Sequence, residues 1–120
     1  MPDTILLVED EPAIRQLMAG ALKSRGYRVL EARHGQEALA LFPEHDAVID
    51  LVVTDVRMPY VKGTEMITAL RARRPGLRVL FISGYTDGSI QHEVHLYKPF
   101  ARADFLAAVD GLLEQPEPRD

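Results

Sequence analysis

The chain has 120 residues, 47% hydrophobic and 27% charged, which suits one soluble domain able to bury a core without staples. No cysteine and only four histidines are present, so disulfides and thiol chemistry are excluded and zinc would have only scattered histidines. A net charge of −4 argues against nucleic acid as a direct partner. Nothing resembles a secretory h-region or a membrane span, so the cytoplasm is the expected compartment, with no direct membrane contact.

Residues 4–8 (TILLV) read as the first strand, running into Glu9, Asp10 and Glu11 before Pro12. Proline is favoured at the first helical position, and an aspartate ahead of it is a good cap. Helix one therefore starts near Pro12, shows an apolar face of Ile14, Leu17, Met18, Ala21 and Leu22, and ends at Gly26. Strand two covers residues 27–31, with Val29 as its buried side chain. Helix two covers residues 36–42, after the His34-Gly35 turn and before Pro43. A polar loop then feeds the third strand, residues 51–54 (LVVT), a short apolar run of the kind buried on both faces in parallel sheets. Asp55 stands where that strand ends.

Helix three covers residues 64–73 and buries Met66, Ile67 and Leu70, with Pro75-Gly76 as its stop. Residues 77–82 (LRVLFI) form the fourth strand, ending at Ser83-Gly84, and residues 94–97 a short fifth strand ahead of Lys98-Pro99-Phe100. The last helix uses Phe105, Leu106, Val109, Leu112 and Leu113. The arginines at 71, 73, 74 and 78 read as cations solvated around a helix C-terminus. Residues 1–114 form the domain, and residues 115–120 a charged, proline-rich tail or the start of a linker. Five alternations of strand and helix point to parallel βαβ units with right-handed crossovers, and so to a three-layer α/β sandwich.

In such sheets, sites form beyond the carboxyl ends of the strands. Strand one delivers Glu9 and Asp10 there, strand three Asp55, strand four Ser83 and strand five Lys98. Three adjacent carboxylates repel one another and call for a cation. Ligands that are all oxygen select a hard ion, and Mg²⁺ takes a few carboxylates while keeping several waters. Lys98 adds a fixed positive charge and Ser83 a hydroxyl. Phosphoryl transfer needs mainly in-line positioning and charge neutralisation, and a carboxylate can itself be the nucleophile. The residues describe an Mg²⁺-dependent site that phosphorylates Asp55.

The set Glu9-Asp10, Asp55-Val56-Arg57-Met58-Pro59, Ser83-Gly84-Tyr85 and Lys98-Pro99-Phe100 resembles the receiver domain of two-component response regulators, over about residues 4–113. The stretches LLVEDEP and RPGLRVLFISGYTD are especially similar to receivers attached to hybrid sensor histidine kinases. The resemblance implies a flavodoxin-like fold with a five-stranded parallel sheet of order 2-1-3-4-5 and a cis peptide at Lys98-Pro99. It implies a phosphorelay role in which Asp55 accepts a phosphoryl group from a sensor histidine kinase or a histidine phosphotransfer domain. Asp10, Asp55 and the backbone carbonyl of Arg57 would ligate Mg²⁺ directly, and Glu9 through a water. Ser83 and Lys98 would hold the phosphoryl oxygens, with Arg57 and Tyr85 flanking them. The family's switch aromatic, three positions before the lysine, is His95 here, with Tyr97 able to substitute on the same strand face.

Fifteen positions separate Ser83 from Lys98, short for this family. A fourth helix there is reduced to a turn or two or is irregular, since Gly84, Gly88 and Ser89 favour helix poorly. That argues against dimerisation through the face of helix four, strand five and the last helix. The domain reads as a phosphoacceptor that assists its own phosphorylation and dephosphorylation, not as a turnover enzyme. Two alternatives stay open: a pseudo-receiver scaffold that is never phosphorylated, and an aspartyl-phosphate phosphatase. The second wants another aspartate two residues after the nucleophile, where Arg57 stands.

Overall fold

The structure, a computed structural model, describes residues 2–84, 88, 90 and 92–115. The chain runs β1 (Thr4–Val8), α1 (Pro12–Ser24), β2 (Arg28–Ala32), α2 (Gly35–His45), β3 (Ile49–Asp55), α3 (Gly63–Arg73), β4 (Val79–Ser83), β5 (His95–Tyr97) and α4 (Arg102–Glu114). The five strands pair in parallel in the order β2-β1-β3-β4-β5. This is the expected α/β sandwich, with the cis peptide at Lys98-Pro99.

Because successive strand residues point to opposite faces, the uninterrupted apolar runs of β1 and β3 feed two cores. Leu6, Val8, Ile49 and Val52 pack with Phe42, Met66, Ile67 and Leu70 of α2 and α3. Ile5, Leu7, Leu51 and Val53 pack with Met18, Leu22, Phe105 and Val109 of α1 and α4. Ile49 and Leu51 would share a face in a regular strand. The β1–β3 register slips between Thr4 and Ile5, and the Asp50 carboxylate accepts the Thr4 amide at 2.8 Å. That irregularity turns Ile49 to one core and Leu51 to the other.

Several local expectations are corrected. The N-cap of α1 is Glu11, with no side-chain cap bond, since Asp10 stands one residue too early to cap and belongs to the cluster at the strand ends. Leu17 is 76% exposed, because α1 and α4 leave an open groove of about 470 Å³ instead of closing over it. Val29 is only half-buried, as β2 is an edge strand. Helix α2 runs through Pro43 to His45; the proline omits one hydrogen bond in the last turn, where little helix remains to break. The arginines are not simply solvated. Arg71 pairs with Glu93 at 2.6 Å, Arg74 donates to Ile49 O at 2.6 Å, and Arg78 donates to Asp50 O at 3.1 Å.

Between β4 and β5, the described residues contain no helix. Ile90, only 2% exposed, enters the core beside α3. The rest of the helix-four expectation, and the tail at residues 116–120, lie outside the described residues.

Candidate functional site

Parallel pairing puts the C-terminal ends of all the strands at one edge, and the register sets how far each side chain reaches. Val8 pairs with Thr54, so Glu9 and Asp10 emerge beside Asp55. Asp55 pairs with Ile82, one step before Ser83. Lys98 follows Tyr97, which pairs with Ser83, and the Lys98 amide donates to Ser83 O at 2.7 Å. Residues distant in sequence thus meet because four adjacent strands, β1, β3, β4 and β5, end at the same edge.

The Lys98 ammonium donates to Asp55 Oδ2 at 2.6 Å and to Glu9 Oε1 at 3.2 Å. One carboxylate oxygen from each of Glu9, Asp10 and Asp55 lies within 4.8 Å of the others. Glu9 is 2%, Ser83 3% and Asp55 7% exposed, whereas Asp10 is exposed. Burial first, then the Asp55 charge, raises the Glu9 carboxyl to about 7. Burial alone would lower the Lys98 ammonium, but its hydrogen bond and charge contact with Asp55, reinforced by Glu9, keep it above the ordinary lysine range. One ammonium does not neutralise three carboxylates. The cluster is all oxygen, part buried and part open, and fits a hard divalent cation that keeps some water.

The turn after β3 completes the site. The Arg57 amide donates to Asp55 Oδ1 at 3.1 Å, folding the chain back so that the Arg57 backbone stands beside the carboxylate. Gly63 closes the turn, its amide donating to Val56 O at 2.8 Å. A Cβ there would lie 2.1 Å from the Asp55 carbonyl oxygen, so only glycine lets α3 begin so close to the strand. Thr54, fully buried, donates its hydroxyl to Asp55 O at 2.9 Å. At the rim, Tyr60 holds the left-handed φ of +72°, and its ring meets His34 edge-on at 5.5 Å.

The structure therefore brings together Glu9, Asp10, Asp55, Ser83, Lys98 and the Arg57 backbone. Tyr85 lies outside the described residues. His95 pairs in register with Phe81, whereas Tyr97 pairs with Ser83. The two rings meet edge-on at 4.9 Å. Sequence reasoning missed Gly63 and Arg15. Gly63 directly opens a helix after the Met-Pro turn, a position where a close backbone approach could have been suspected. Arg15, one turn into the helix after three acids, donates to Glu9 O at 2.9 Å.

Comparison with known proteins agrees with this geometry. The sequence profile of the response regulator receiver domain matches residues 5–110. The chain is 37% identical over 121 residues to the sensor kinase CckA of Brucella abortus, covering 95% of this chain and 13% of that protein. It is 34% identical over 129 residues to the response regulator MprA of Mycolicibacterium vanbaalenii, covering 100% of this chain and 54% of that protein. The crystal structure of the receiver domain from the hybrid histidine kinase CckA superposes with a TM-score of 0.82 at 39% identity, covering 92% of this chain and 98% of that one. The response regulator TrrA of Thermotoga maritima, in complex with Mg²⁺ and BeF, gives 0.83 at 30% identity, covering 92% and 99%. The chain belongs to the response regulator receiver family. It spans only 13% and 54% of the lengths of the two curated relatives described above.

Proposed function

We propose that this domain accepts a phosphoryl group on Asp55 from a phosphohistidine of a sensor histidine kinase or phosphotransfer domain. The observation that carries the reading is the convergence on the Asp55 carboxylate: the Lys98 ammonium 2.6 Å from its Oδ2, with Glu9 and Asp10 carboxylate oxygens in a cluster within 4.8 Å. A carboxylate oxygen of Asp55 attacks phosphorus, the bond from phosphorus to the imidazole nitrogen breaks, and the imidazole leaves with that electron pair. The product is an acyl phosphate on Asp55.

Glu9, Asp10, Asp55 and the Arg57 carbonyl are the residues that would hold Mg²⁺. When bound, that ion offsets the charge of the phosphoryl oxygens. The relative TrrA, crystallised with Mg²⁺ and BeF, supports this choice. Lys98 is already placed to exchange its contact with the Asp55 carboxylate for one with a phosphoryl oxygen. Ser83, buried at the end of β4, would supply a hydroxyl to a phosphoryl oxygen. Before transfer, the Lys98 ammonium pairs with the Asp55 carboxylate at 2.6 Å and holds it in place at the end of β3.

The donor's approach is supported by the groove between α1 and α4. Ile14, Leu17, Met18 and Phe105 line it with Lys98 and Pro99, and Lys98 also reaches the acidic site. An apolar helix face carrying a phosphohistidine would lie there with its imidazole directed at Asp55. A kinase donor that draws its phosphate from ATP supports the cytoplasm as the compartment of this reading. The phosphatase alternative loses support, because the position for its general acid is Arg57, whose amide is engaged with Asp55.

Incubation with acetyl phosphate and Mg²⁺, resolved by phosphate-affinity electrophoresis, tests the reading. A retarded band should form in wild type, require Mg²⁺, and be absent in Asp55→Asn. Absence of the band from wild type would favour the pseudo-receiver.

A further inference from the structure

The β1–α1 corner carries two of the three carboxylates, and one side chain outside the acidic cluster holds it. Arg15 is largely buried, its side chain 14% exposed. Its guanidinium donates to Glu9 O at 2.9 Å, while its own backbone amide donates to Glu11 O at 2.9 Å. Asp10 lies between those two carbonyls, so one residue fixes the chain on both sides of it. The guanidinium is anchored in turn by Glu31 of β2, with Nε 3.5 Å from Oε1. Lys23 stands 3.7 Å from the other Glu31 oxygen. On the opposite side, the Glu9 amide donates to Ala32 O at 3.1 Å. Glu9 is thus tied to β2 directly through its amide and indirectly, through Arg15 and Glu31, by its carbonyl.

We propose that Arg15 is a positioning residue of the divalent-cation site, orienting Glu9 and Asp10 through the Glu9 carbonyl with Glu31 as its anchor. The proposal rests on the reading of Glu9, Asp10 and Asp55 as an Mg²⁺ site. The chemistry requires arginine. Its planar fork presents several donors at once, so it can serve a carbonyl with one nitrogen and a carboxylate with another. The ammonium of lysine is a single point charge and cannot span the two in the same geometry.

The sign of the effect separates positioning from plain electrostatics. Arg15 is a cation next to an acidic cluster. By Coulomb's law alone, removing its charge would make the cluster more attractive to Mg²⁺. Releasing the corner acts the other way, because carboxylates that must be ordered on binding hold the ion less well. Groups that orient metal ligands contribute about tenfold or more to metal affinity.

The test is calorimetric titration of the intact protein with MgCl₂ at pH 8, with no phosphodonor present. Arg15→Gln should weaken Mg²⁺ binding about tenfold, and Arg15→Lys should recover only part of the loss. Glu31→Gln, which keeps the arginine but weakens its anchor, should move affinity in the same direction by less. Equal or tighter binding in Arg15→Gln, with normal binding in wild type, overturns the positioning role and leaves the metal site standing. No Mg²⁺ binding by wild type overturns the site reading itself, and the positioning role with it. Should Arg15→Gln fail to fold, Arg15→Lys and Glu31→Gln decide: wild-type affinity in both overturns the proposal.

Discussion

Glu9 shows what a signalling site costs the residue that serves it. Its carboxyl, raised from 4.5 to about 7 by burial and by Asp55, binds a proton more tightly in the folded chain than in the unfolded one. Stability from this group is therefore fully present below about 4.5 and is lost as pH rises through about 7. In chelator, Glu9→Gln should gain on wild type as pH goes from 5 to 8, by on the order of 2 kcal/mol in unfolding free energy. Urea midpoints of both proteins across that range give the answer. An advantage independent of pH would mean that Glu9 ionises normally. The identity of this group was legible in the sequence because an acid after a doubly buried strand sits at a sheet edge. Its energetic state was not, since that depends on Asp55 and Lys98 arriving from strands distant in sequence. Arg15 escaped for a related reason: its contact is with a backbone carbonyl, which carries no residue-type signal.

At the scale of elements, the join of β3 to α3 is the tightest constraint on the site. The hypothetical Cβ of Gly63 would lie 2.1 Å from the Asp55 carbonyl, and the atom in the way is backbone. Gly63→Ala must push α3 away from the strand end, moving the turn that carries Arg57. Overpacking of this kind costs about 3 kcal/mol. Urea unfolding should show that loss, and whatever remains folded should label poorly with acetyl phosphate. A variant of wild-type stability would mean that α3 can shift freely. Most elements could be anticipated because their periods and breakers agree, as in TILLV before Glu9 or Pro12 opening α1. The misjudged ones were decided by neighbours. Leu17 follows the apolar stripe of α1 yet faces an open groove, Val29 sits on an edge strand, and Pro43 falls where α2 was about to end anyway.

Across the whole molecule, the strand order 2-1-3-4-5 followed from the family resemblance, while the alternation of elements gave only the parallel class. That order makes the acidic cluster, the proposed Mg²⁺ site, a property of the folded state alone. Glu9 and Asp10 leave β1 and Asp55 ends β3, and only their side-by-side pairing brings the three oxygens within 4.8 Å. An ion that binds the folded chain and not the unfolded one stabilises it by mass action. At ten times its dissociation constant, the gain is about 1.4 kcal/mol, or about 5 °C in Tm for a domain of this size. Thermal unfolding against MgCl₂, with KCl matched for ionic strength, should show a rise that tracks Mg²⁺ and disappears in Asp10→Asn. The rise should shrink at pH 5.5, where Glu9 holds its proton and one carboxylate charge is lost. An equal rise with KCl would reduce the effect to screening of a like-charge cluster. An undiminished rise in Asp10→Asn would place the ion elsewhere on the chain.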